Sequence, residues 1–170
     1  MDAARVAEIA RKHRELAASP GPGLLLEAEA ARHAEAELLN RLFSEIEAEC
    51  DAYCRSYNDA FGDTRVRLEP HGDTVVIRSQ LDQEDTLVFH RIAPSHTQAG
   101  RIGARRYHYR EQPVHLPVDV RRTDARLLTL TLRGKDAAAA DLVIDLLTTF
   151  TEHLARTESA AGGEDLSRKP

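Results

Sequence analysis

The 170-residue chain contains no tryptophan, only 5 % aromatic residues, one methionine and two cysteines. With so few large rings available, aliphatic side chains must fill the core. Cys50 and Cys54 stand four residues apart in a strongly helical stretch. Such a pair faces one way but is badly placed for an intrahelical disulfide, and two cysteines do not staple a secreted scaffold. No window approaches the roughly 18 apolar residues that a spanning helix needs. The opening MDAARVAEIARKHREL is amphipathic, without the continuous apolar stretch of a signal peptide or anchor. Together these absences point to a cytoplasmic protein with no membrane contact.

Catalytic signatures are missing too. There is no P-loop, no GxGxxG after a strand, no GxSxG, no HExxH and no CxxC, so phosphate cradles, activated serines and standard zinc sites have no support. Asp82, Glu84 and Asp85 occupy an apparent hairpin turn, where solvated acids are common. No catalytic residue, cofactor or metal ligand is assigned, and the reading leans away from an enzyme. Lysine is scarce as well, three against twenty arginines, which with the abundant alanine hints at a GC-rich bacterial genome.

What is present suits a single globular domain. Hydrophobic residues make up 42 % and charged residues 30 %, which are ordinary values for a folded chain of this length. The net charge of −5 conceals a strong asymmetry. Residues 24–63 carry ten acids and three arginines, residues 86–135 carry ten basic residues and three acids, and residues 136–170 carry seven acids and three bases.

Val6, Ile9, His13 and Leu16 give residues 3–18 the spacing of a short amphipathic helix, and Pro20, Gly21, Pro22 and Gly23 break it. From Leu24 to Phe61 there is neither proline nor glycine, and Gly62 stands where a helix-terminating glycine belongs. Within this run Ala36, Leu39, Phe43, Ile46, Cys50, Tyr53, Tyr57 and Ala60 recur at alternating steps of three and four, a heptad seam. A helix over 24–61 would be about 57 Å long at 1.5 Å per residue, against strands of roughly 20 Å. The spacing therefore predicts apolar helix surface beyond what the sheet can cover.

Strands follow at Thr64–Glu69, Thr74–Ser79, Thr86–Ile92, Arg101–Arg110 and Arg126–Arg133, separated by turns such as Pro70-His71-Gly72-Asp73. Pro113 and Pro117 demote residues 112–120 to an edge or irregular segment. Connections this short favour an antiparallel meander of about five strands. Asp136 is a candidate N-cap for a last helix over 136–156, whose stripe of Ala139, Leu142, Val143, Leu146, Leu147, Phe150 and Leu154 suits a sheet face. Residues 158–170 read as a disordered tail. The expected fold is α+β: short helix, long helix, meander and closing helix, with one domain over 24–157.

Three functional readings follow. The first is a non-enzymatic interaction or assembly domain, self-associating or docking a protein partner through Leu39, Phe43, Ile46, Cys50, Tyr53 and Tyr57. The second is nucleic-acid or polyanion binding by Arg101, Arg105, Arg106, Tyr107, Tyr109, Arg110, Arg121 and Arg122, since arginines contact phosphates and exposed rings stack on bases. Against it stands the self-complementarity of an acidic helix and a basic sheet. The third is a small-molecule pocket or an unrecognised enzyme. His90, His108 and His115, with Cys50 and Cys54, match no known metal-site spacing, and Glu47, Glu49 and Asp51 beside the cysteines argue against a reactive thiolate.

Overall fold

The stretch without proline or glycine folds as one helix. In the computed structural model, which describes residues 22–80, 85–108, 111–123 and 127–164, α1 spans Pro22–Phe61. It starts two residues before the expected Leu24, because a proline at the first helical position lacks only an N–H that would have no intrahelical partner. Gly62 ends it in the left-handed region at φ 73°, its N–H donating to the Asn58 carbonyl at 2.9 Å. Asn58 then fixes the exit. Its side-chain oxygen accepts from the N–H groups of Arg65 and Val66, and its amide donates to the Val66 carbonyl. The expected helix over 3–18 lies outside the described residues.

The chain divides into two compact units, Met1–Ala34 and Glu35–Pro170. The described part of the first is helical, with Leu24, Leu25 and Leu26 exposed. The second unit holds the sheets. β1 (Val66–His71), β2 (Thr74–Ser79), β3 (Thr86–Ile92), β4 (Arg101–Tyr107) and β5 (Val114–Leu116) form a five-stranded sheet in sequence order. Every pairing in it is antiparallel, so the expected meander is present and the class is α+β. A second sheet was not foreseen. β6 (Val118–Arg122), β7 (Leu128–Leu132) and β8 (Lys135–Asp136) form it in that order, also antiparallel. The proline-bearing segment 112–120 thus supplies edge strand β5 and, past Pro117, enters β6. α2 spans Ala139–Glu164. It begins after Asp136, which closes β8 and pairs with Arg121, and its last residues include 158–164, expected to be disordered.

Alternation along the strands sorts side chains between two faces. Val75 and Ile77 of β2, Leu87 and Phe89 of β3, and Ile102 and Ala104 of β4 all turn inward and are buried. They share one core with Val118, Val120 and Leu130 of the second sheet and with Leu142, Val143, Leu147, Phe150 and Leu154 of α2. The heptad seam of α1 enters that same core. Leu39, Phe43, Ile46, Cys50 and Cys54 are all buried, and Tyr53 and Tyr57 pack against them, with the Tyr53 hydroxyl 3.1 Å from Thr151 Oγ1 of α2.

This corrects the expectation of an open seam on Leu39, Phe43, Ile46, Cys50, Tyr53 and Tyr57. Steps of three and four mark an apolar stripe whatever covers it, and here the chain's own sheets and α2 do. Burial pushes both thiols upward, that of Cys54 to about 12 with Asp51 adding to the effect, so they act as small apolar fillers.

Phe43→Ala is expected to destabilise the fold by about 3–5 kcal/mol, the usual cost of truncating a buried ring. Urea unfolding followed by circular dichroism checks this. Ile46→Glu should unfold the protein outright, since it buries an unpaired charge.

Candidate functional site

The basic strands separate into arginines spent within the fold and arginines that gather. Arg121 pairs with Asp136, and Arg122 with Glu35 of α1 while also donating to the Gly100 carbonyl at 2.9 Å. On β3, Arg91 pairs with Asp73 and donates to Asn40 of α1. Arg106 shares the inward parity of Ile102 and Ala104. Arg101, Gly103, Arg105 and Tyr107 share the outward parity. Tyr109 and Arg110 lie outside the described residues.

Cross-strand register brings further groups to that outer face. Arg105 stands opposite Val88 on one side and His115 on the other, His90 stands opposite Gly103, and Ile92 opposite Arg101. The missing side chain at Gly103 shapes what lies between. A Cβ there would sit 2.8 Å from both Cε1 and Nε2 of His90, closer than real Cβ contacts come, so the imidazole occupies the room that any other residue would fill. A hollow of about 180 Å³ remains, lined by His90, Arg101, Gly103, Arg105, His115 and Asp119. Part of β6 therefore forms its rim.

Electrostatically the hollow is one-sided. Asp119 is the acid on its wall, and its carboxylate is 3.9 Å from Arg101. The Nε of Arg105 is buried and has no hydrogen-bond partner among the described residues. A buried donor left unmet carries a desolvation cost of about 1–3 kcal/mol. The imidazole of His90 is held below its ordinary pKa, first by burial and then by the positive charge of Arg105, His115 and Arg101. The hollow, whose wall also includes apolar Ile92, Leu116 and Val118, thus holds two arginines and two histidines against one acid, with one donor unmet.

Of the residues expected to bind a polyanion, the structure brings Arg101 and Arg105 together, with Tyr107 further along the same strand face. Arg106, Arg121 and Arg122 are directed elsewhere. His90 and His115, weighed in the sequence only as metal ligands with His108 and the cysteines, are the neighbours that matter. Their signal was weak but present: both lie on the arginines' face once alternation and register are known.

The sign of the His90 shift has a consequence for stability. A folded state that disfavours the imidazolium binds its proton later than the unfolded chain does. As pH falls through about 6.5, the unfolded state gains protons first and stability is lost; above that value the contribution is fully present. His90→Gln removes this term, so the stability of the parent protein relative to the variant should fall between about pH 8 and pH 5. Denaturant titrations at each pH check this, and an NMR titration should place the His90 midpoint below the usual imidazole range.

No protein-family model, curated protein or solved structure matches the chain.

Proposed function

We propose that this chain is a binding domain for a small anionic ligand, one phosphate-bearing group seated in the hollow on the outer face of the main sheet. The observation that carries this reading is the buried, unmet Nε of Arg105 at a hollow also lined by Arg101, His90 and His115. A guanidinium presents its donors in a fixed fork that matches phosphate oxygens. His90 would take up a proton as the anion enters, adding a charge-assisted donor.

The dimensions favour one group over an extended strand. At about 180 Å³ the hollow is below the roughly 300–1,000 Å³ typical of drug-sized ligands. A nucleic-acid track would need several further cations in line, and Arg121 and Arg122 are engaged with Asp136 and Glu35. Nor does a net charge of −5 draw a long polyanion from a distance.

Association with a protein partner or a second copy is a second reading, favoured by the exposed run Leu24, Leu25 and Leu26 on α1. It requires no opening of the core. Light scattering behind a sizing column would read a larger species, reduced to a monomer by Leu25→Glu.

Titration with inorganic phosphate and pyrophosphate tests the main reading. Calorimetry should detect saturable binding that is stronger at pH 6 than at pH 8, following proton uptake at His90. Arg105→Gln should weaken it by more than tenfold, since a hydrogen bond to a charged group contributes about 1.5–3 kcal/mol. The slope of log K against log salt should stay at about 2 or below, as expected for two phosphate-contacting arginines. A slope several times steeper with oligonucleotides would replace this reading with nucleic-acid binding, and no binding of any anion would remove it.

A further inference from the structure

We infer that Asp85, His108 and His153 form a binding site for a divalent transition-metal ion of the zinc and cobalt class, on the inner side of the same sheet. This site is separate from the outer hollow and does not rest on the anion-binding reading.

The three residues come from segments that only the fold unites. Asp85 immediately precedes β3, and its carbonyl accepts from the Ser79 N–H at 3.1 Å. His108 immediately follows β4. Because Thr86 pairs with Tyr107 and Leu87 with Arg106, the next antiparallel step sets Asp85 opposite His108, both with the inward parity of Leu87. His153 approaches from α2, one residue before buried Leu154 and three after buried Phe150. One ligand atom from each of the three residues lies within 4.8 Å of the other two. The rings of His108 and His153 meet edge to face, with centroids 5.9 Å apart.

The separation between Asp85 and His153 suits a shared ion better than a direct hydrogen bond. Asp85 is 0 % exposed, an expensive position for a carboxylate without full compensation. Its Oδ1 is 2.6 Å from His108 Nδ1, a hydrogen bond. Its Oδ2 is buried and has no hydrogen-bond partner among the described residues. The nearest His153 atom in the trio, Nε2, is 3.8 Å from that oxygen. Such a separation is too long for a hydrogen bond. It is close to the roughly 3.4 Å between two ligand atoms bound tetrahedrally to one ion at about 2.1 Å.

Two imidazoles and one carboxylate are borderline ligands of the kind that zinc and cobalt accept, and magnesium and calcium prefer all-oxygen shells. When the ion enters, the proton shared between Nδ1 of His108 and Oδ1 of Asp85 leaves to solvent, and the two groups, 2.6 Å apart, separate by about 0.8 Å to reach the roughly 3.4 Å of ligands on one ion. Three protein ligands leave one tetrahedral position for water. The side chains of His108 and His153 retain 27 % and 37 % of their exposure, which gives solvent a path to that position.

The test uses the full chain, stripped with a chelator and titrated with Co²⁺ alone and then Zn²⁺ alone. One equivalent of Co²⁺ should bind with visible ligand-field absorption of the tetrahedral or five-coordinate type, Zn²⁺ should displace it, and Zn²⁺ should raise the thermal midpoint. Asp85→Asn, His108→Ala and His153→Ala should each weaken binding by more than the roughly 10–100-fold seen when merely a supporting residue is lost. His90→Ala and His115→Ala should leave it unchanged. Asp85→Asn alters a buried group and could unfold the chain; His153→Ala, at a partly exposed helix position, keeps the test decisive. Absence of a Co²⁺ spectrum, or binding unaffected by His153→Ala, overturns the inference.

Discussion

The alternation of side chains along β3 and β4 is the constraint on which the second unit depends. With aromatics at 5 % and no tryptophan, the inner face must be aliphatic and continuous to exclude water. Leu87, Phe89, Ile102 and Ala104 supply it, and α1 and α2 close over it. Once those residues are committed inward, His90, Arg101 and Arg105 have no choice but to face outward. Their concentration there is a by-product of the core pattern that the register then turns into a site. A one-residue slip would exchange the faces of a whole strand, turning Arg105 toward the core if β4 slipped or Phe89 away from it if β3 did, so packing sets which side chains face outward.

A few contacts between the acidic helices and the basic strands draw on the charge asymmetry of the sequence. Glu35 and Asn40 of α1 meet Arg122 and Arg91, and Arg133 pairs with Asp145 of α2 at 2.9 Å. Each such pair is partly solvated and contributes little, about 0–1 kcal/mol. Their role is positional: Arg91 links the β1–β2 turn, through Asp73, to the helix, and its guanidinium lies 5.5 Å from the centre of the Phe43 ring. The arginines of the hollow stand out against that background. Arg101 has only a 3.9 Å approach to Asp119, and the Nε of Arg105 meets no acceptor among the described residues.

How much of this could be read from the sequence depended on the range of the physics involved. Local chemistry was legible. Gly62 ends α1, Gly72 and Asp73 turn β1 into β2 two residues later than the composition of Pro70–Asp73 suggests, and the alternation in Thr74–Ser79 and Thr86–Ile92 gives strands with those bounds. The helical seam was also legible as a pattern but not as an address, because Leu39, Phe43 and Ile46 keep the same spacing whether they face a partner or their own sheet. The second sheet was hidden by Pro113 and Pro117, which signal interrupted pairing without saying that pairing resumes on another sheet. Of the candidate arginines, the odd-numbered pair on β4 could have been separated from Arg106 by parity alone.

The trio of Asp85, His108 and His153 marks where such reading fails. The acid-rich composition of Asp82, Glu84 and Asp85 suggests solvated turn acids, yet Asp85 is wholly buried, because it flanks β3 with the inward parity of Leu87. His108 and His153 lie 23 and 68 residues away in sequence, so no short spacing rule could connect them. The β3–β4 register that places His90 and Arg105 on the opposite face brings Asp85 and His108 together, and the packing of α2 on the core adds His153. The β3–β4 ladder thus turns Asp85 and His108 inward and His90 and Arg105 outward. The proposed cation and anion sites therefore lie on opposite faces of one sheet, so that sheet separates their opposite charge preferences.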